Sequence, residues 1–138
     1  MLKFFLNGFA FATMLAFMHN GLIANSYAAE IAPKISNERG VKVTATLQAF
    51  PADAKTWNIE VTFETHTQDL SDDFAKSSTL IADGKQYLPL SWEGAPPGGH
   101  HRKGLLRFKA VVPQPQSVEL QIRLSGDTSP RHFKWLLK

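Results

Sequence analysis

An all-β fold is what this sequence predicts: a two-sheet antiparallel sandwich, immunoglobulin-like in the broad sense, with about seven strands and one short helical turn. Three observations carry that expectation. Short runs of alternating apolar and polar residues recur along the chain, turn-forming residues separate them roughly every ten residues, and no amphipathic helical pattern of useful length interrupts them. A small closed barrel fits the same pattern and is the alternative. The sequence contains no Cys, which excludes thiol chemistry, iron–sulfur clusters and Cys-zinc sites. An exported domain without disulfides must rest on its own apolar core.

Residues 1–28 read as an export signal. Lys3 supplies a short positive start, Phe4 to Met18 is almost wholly apolar, and Ser26-Tyr27-Ala28 sets small residues where a signal peptidase cuts. Cleavage is therefore expected between Ala28 and Ala29. The apolar run is shorter than the roughly 20 residues a spanning helix needs, so no stable membrane anchor is expected after cleavage. The mature chain should be periplasmic or secreted. Residues 29–40 read as an irregular lead-in because Pro33, Ser36, Asn37 and Gly40 sustain no period, and residues 41–138 as a single β-sandwich domain.

The strands are expected in order. Val41 to Ala49 alternates strictly, Pro51 to Lys55 turns the chain, and Trp57, Ile59, Val61 and Phe63 alternate with polar neighbours as an antiparallel partner. Ser71 followed by Asp72 and Asp73 resembles a cap with an acidic first turn, placing one helical turn about Asp72 to Lys76. Asp83-Gly84 between Thr79–Ala82 and Lys85–Leu90 predicts a two-residue hairpin, and Pro89 marks its second arm as an edge. Leu106, Phe108, Ala110 and Val112 are expected on one face of the next strand. Val118, Leu120, Ile122 and Leu124, then Phe133, Trp135 and Leu137, define the inward faces of the last two.

Fifteen Lys and Arg against twelve Asp and Glu give a formal charge of only +3, with the basic residues scattered singly. That distribution argues against a nucleic-acid partner, which calls for basic residues clustered on one face. Chemistry-bearing residues gather in two irregular segments. One holds His66 and Asp69; the other runs from Trp92 and Glu93 through Pro96-Pro97-Gly98-Gly99 to His100 and His101. If the segments meet at one end of the sandwich, three imidazoles and a carboxylate share a small volume. Zinc or copper accepts such ligands, although no recognised ligand spacing is present. The competing use is a hydrogen-bond network in which Asp69 orients an imidazole.

Other chemistries fit less well. Asp69, Asp72 and Asp73 lack the Gly and distal Glu of a helix–loop–helix calcium site. No Gly-x-Ser-x-Gly elbow exists, and the glycine run lacks the Lys and Ser or Thr that finish a phosphate loop. Trp57 and Trp135 share the parity of apolar neighbours and belong in the core, whereas Trp92 is less fixed because Pro89 and Gly94 disturb its strand.

Three runs, Thr65-His66-Thr67-Gln68-Asp69-Leu70-Ser71, Leu90-Ser91-Trp92-Glu93-Gly94 and Gly98-Gly99-His100-His101, together resemble a group of uncharacterised bacterial and archaeal exported or membrane-tethered sandwich domains. In that group a Thr-His segment ending in Asp-Leu accompanies a Trp-Asp-Gly or Trp-Glu-Gly segment ending in Gly-Gly-His-His. The similarity covers most of Val41 to Leu137. It implies the fold and the pairing of the two segments, and no reaction. The functional expectation is a non-enzymatic binding or accessory module of the cell envelope, without cofactor, serving an envelope protein or ligand. Its binding loop is expected to use His66, Asp69, Trp92, Glu93, His100 and His101. The alternative is a zinc or copper protein using His66, Asp69, His100 and His101.

Overall fold

The computed structural model describes residues 31–138; the expected export signal and its cleavage position lie outside them. Nine strands follow one another: β1 (Lys34–Glu38), β2 (Val41–Leu47), β3 (Thr56–Thr65), β4 (Ser78–Ala82), β5 (Lys85–Tyr87), β6 (Ser91–Gly94), β7 (His101–Lys109), β8 (Ser117–Ile122) and β9 (Arg131–Leu136). They form two antiparallel sheets, ordered β1-β2-β3-β7-β6 and β5-β4-β8-β9. Two separate sheets make this a sandwich and set the closed-barrel alternative aside. The chain changes sheet after β3, β5 and β7, and one turn of helix α1 (Phe74–Ser77) makes the first of these crossings.

Alternation predicts the core well. Val43, Ala45 and Leu47 lie opposite Phe63, Val61 and Ile59 in the register, and Val41 and Trp57 extend the same inward faces. All eight are buried, and they meet Leu80, Leu120, Ile122, Phe133 and Trp135 from the other sheet. The Asp83-Gly84 hairpin forms as expected, with Ala82 opposite Lys85 and positive φ at both turn residues. β5 is an edge strand, in keeping with Pro89 just beyond it. Phe50 leaves the strand and stacks on Trp57 at 4.5 Å.

Four expectations need correction. The lead-in is not wholly irregular: residues 34–38 pair with β2 as an edge strand, and Ala32 accepts a hydrogen bond from the Trp135 indole at 3.1 Å. Only Ile35 in that strand is large and apolar, and it is 62% exposed, so no inward pattern marks it. Ser91–Gly94 is a separate short strand, which with β1 raises the count from seven to nine. The helical turn starts later than expected. Asp73, not Ser71, caps it by accepting from the Ala75 amide at 3.1 Å. Finally, β7 ends at Lys109, so Val111 is buried while Val112 is 84% exposed.

Candidate functional site

The antiparallel pairing of β3 with β7 brings the segments after Thr65 and before His101 together. Thr65 donates its amide to the His100 carbonyl at 2.9 Å, one step beyond the strands. Leu70 and the glycine run then exchange backbone bonds: the Leu70 amide reaches the Gly99 carbonyl at 2.9 Å, and the Gly98 amide reaches the Leu70 carbonyl at 2.8 Å. Both glycines hold positive φ, 112° and 80°, a conformation side chains resist. Asp69 completes the junction by accepting the Gly99 amide at 2.7 Å.

Beneath this junction lies Arg102, 1% exposed. It shares the inward parity of Leu106 and Phe108 on β7. Its guanidinium donates to the carbonyls of Leu70 (3.0 Å), Asp72 (2.7 Å) and Ala95 (3.2 and 3.3 Å). One face lies 3.9 Å from the Phe74 ring centroid, and the Trp92 ring is 5.8 Å away. Phe74 in turn stacks on Phe63 at 3.7 Å. Burial pushes the Arg102 pKa below its ordinary value, and the charges of Asp72, Asp73 and Asp69 oppose that shift. A guanidinium stays protonated through such shifts, so this is a buried cation held by carbonyls and aromatic faces.

Trp92 belongs to the same cluster. Its indole N–H donates to the Ala95 carbonyl at 3.0 Å, and its ring meets Phe74 edge-on at 5.0 Å. Gly94 and Gly104 are register partners under it. A Cβ on Gly94 would stand 2.4 Å from the Gly104 Cα, and one on Gly104 would stand 2.7 Å from Trp92 Cζ2. The two glycines let two backbones and an indole occupy one narrow space.

Two further loops join this end. Asp72 accepts from the Ser125 amide (3.1 Å) and hydroxyl (2.6 Å). Arg131, 2% exposed, forms a two-pronged pair with Asp127 at 3.0 and 3.2 Å. It also donates to the carbonyls of Val41 and Glu38 at 2.7 and 3.0 Å.

The expected pairing of the two segments is therefore present, but its atoms differ from those expected. Asp69 orients a backbone amide, not an imidazole. His66, His100 and His101 are exposed, and among the described residues none bonds through its ring. Glu93 pairs with Arg107 at 2.9 Å on the surface, and Trp92 packs internally. Among the described residues no three His, Asp or Glu side chains are gathered to hold a metal ion. The carboxylates just before the helical turn are likewise occupied, Asp72 by Ser125 and Asp73 by Ala75.

Arg102, Phe74 and the Arg131–Asp127 pair are missing from the sequence-level candidates. Parity marks both arginines: residue 102 is in phase with 106 and 108, and residue 131 with 133 and 135. Compared with known proteins, the chain matches no family model and no curated protein.

Proposed function

We propose that the chain is an exported, non-enzymatic binding or accessory module of the cell envelope, working in the periplasm or outside the cell. Its recognition surface is the loop end that carries His66, Pro96, Pro97, His100 and His101. One observation supports this above others: Arg102 fastens the carbonyls of both irregular segments to the aromatic cluster, while the histidines and prolines above it remain exposed. A loop already fixed in shape loses little conformational freedom on binding, which favours recognition. The resemblance carried by the paired motifs implies the fold and the pairing of the two segments, and names no reaction.

The test is cross-linking in the envelope with the wild type and with the His66→Ala, His100→Ala, His101→Ala triple variant. The variant should keep its thermal midpoint and lose specific partners. Unchanged cross-links in the variant would overturn the reading. One observation favours zinc or copper binding as a second reading: the register sets His101 opposite Glu64, two residues before His66. Lys42 already lies 3.9 Å from that Glu64, and Asp69 holds the Gly99 amide. Metal titration separates the two readings, because bound metal raises stability with the logarithm of its free concentration.

A further inference from the structure

At the same end, the exposed Arg39–Gly40 turn, Gln68 and the loop after β8 line an open cavity of about 400 Å³. That volume is of the order found in small-molecule sites. Its charged lining consists of Arg39, Asp127 and Arg131. Asp127 and Arg131 neutralise one another at 3.0 Å, which leaves the charge of Arg39 in excess. Among the described residues the Arg39 guanidinium has neither a hydrogen bond nor an ion pair. The other polar side chains are engaged: Gln68 donates to the Arg39 carbonyl at 2.7 Å, and Ser125 donates to Asp72.

The backbone at Arg39 points the same way. Glu38 faces Val41 in the register, so Arg39 and Gly40 form a two-residue turn with φ of 49° and 76°. Such turns favour Asn, Asp or Gly at the first position, because larger side chains are strained at positive φ. An arginine held there keeps a strain that Asn would relieve. The turn is also fastened from both sides, by Gln68 at the Arg39 carbonyl and by the Thr65 hydroxyl at the Gly40 carbonyl, 2.8 Å. Strain held in place by its surroundings marks functional positions.

We infer that this cavity binds a small anionic organic molecule whose carboxylate or phosphoryl group is taken by the Arg39 guanidinium. The planar fork of Arg suits either group with two parallel bonds. This deepens the reading of the loop end as the binding end, and rests on it in that respect only. Asp127 already occupies the Arg131 fork with two bonds, so the acidic group belongs at the Arg39 side.

Thermal denaturation of the purified protein against citrate and inorganic phosphate, each matched in ionic strength by sodium chloride, tests the site. One or both anions should raise the midpoint saturably above the chloride control; citrate alone marks a carboxylate site, phosphate alone a phosphoryl site. Arg39→Asn should match or exceed the wild type in unliganded stability while binding about tenfold or more weakly, as loss of a charge-assisted bond implies. Arg39→Lys, with charge but no fork, should fall between. The triple histidine variant should retain anion binding, so this site and the partner surface fail independently. No rise beyond chloride, or equal affinity in Arg39→Asn, would overturn the inference.

Discussion

Two buried arginines hold the loop end together by different means. Arg131 has a carboxylate of its own: Asp127 meets it with two bonds, and the pair spans a short loop. Arg102 has none. Its acceptors are three backbone carbonyls and an aromatic face, and the nearby charges of Asp69, Asp72 and Asp73 act on it without bonding. A cation balanced by one partner can be removed together with that partner, whereas a cation bonded to backbone cannot, because the carbonyls remain. Arg102 is thereby the less replaceable of the two, and it holds irregular chain where Arg131 also ties down the start of β2 and the end of β1.

The largest effect expected is from Arg131→Met, which strands the Asp127 carboxylate in the interior. Breaking such a pair costs about 3–5 kcal/mol. Adding Asp127→Asn should recover a substantial part in chemical denaturation, since the uncharged side chain still accepts the Leu124 amide. Arg102→Met comes next, at about 2–4 kcal/mol for several carbonyls left without a donor. Here neither Asp69→Asn nor Asp72→Asn should restore stability, and rescue by either would erase the distinction drawn above. Hydrogen exchange should show the Leu70, Gly98 and Gly99 amides loosened in this variant more than in Arg131→Met.

Gly94→Ala sharpens the comparison at smaller scale. Its methyl group must displace the facing backbone, a strain of about 1–3 kcal/mol, with the damage again confined to the Arg102 side. Asp69→Ala is the mildest, at about 1 kcal/mol for the lost Gly99 contact. The loss should be the same with and without chelator, and a chelator-dependent difference in midpoint would favour the metal reading.

Alternation made both inner faces legible in the sequence, because each buried strand leaves its other face to solvent and so writes a period of two. The Lys34–Glu38 strand wrote no such pattern, since at an edge even Ile35 is exposed. Ser91–Gly94 was too short to show one. The meeting of the two irregular segments was readable from the stiff, Gly- and Pro-rich run of residues 94–99 and the polar run of residues 65–71 on which it could dock. Its chemistry was not, because the conspicuous histidines drew attention from the backbone amides that Asp69, Asp72 and Asp73 serve. Arg102 and Arg131 were written into the parity of their strands, and a charged residue in an inward phase is a signal for a buried network, not an interruption of the strand.

The indole of Trp92 gives this arrangement an optical voice. Trp57 and Trp135 lie in the apolar interior, 2% and 0% exposed, and replacing both with Phe would leave one indole, excited selectively over tyrosine and seated on the glycine pair with its N–H on the Ala95 carbonyl. Its emission would then follow the anchored loops alone. A shift to longer wavelength before the circular-dichroism transition would mean that the loop end opens as its own cooperative unit while the sheets stay paired.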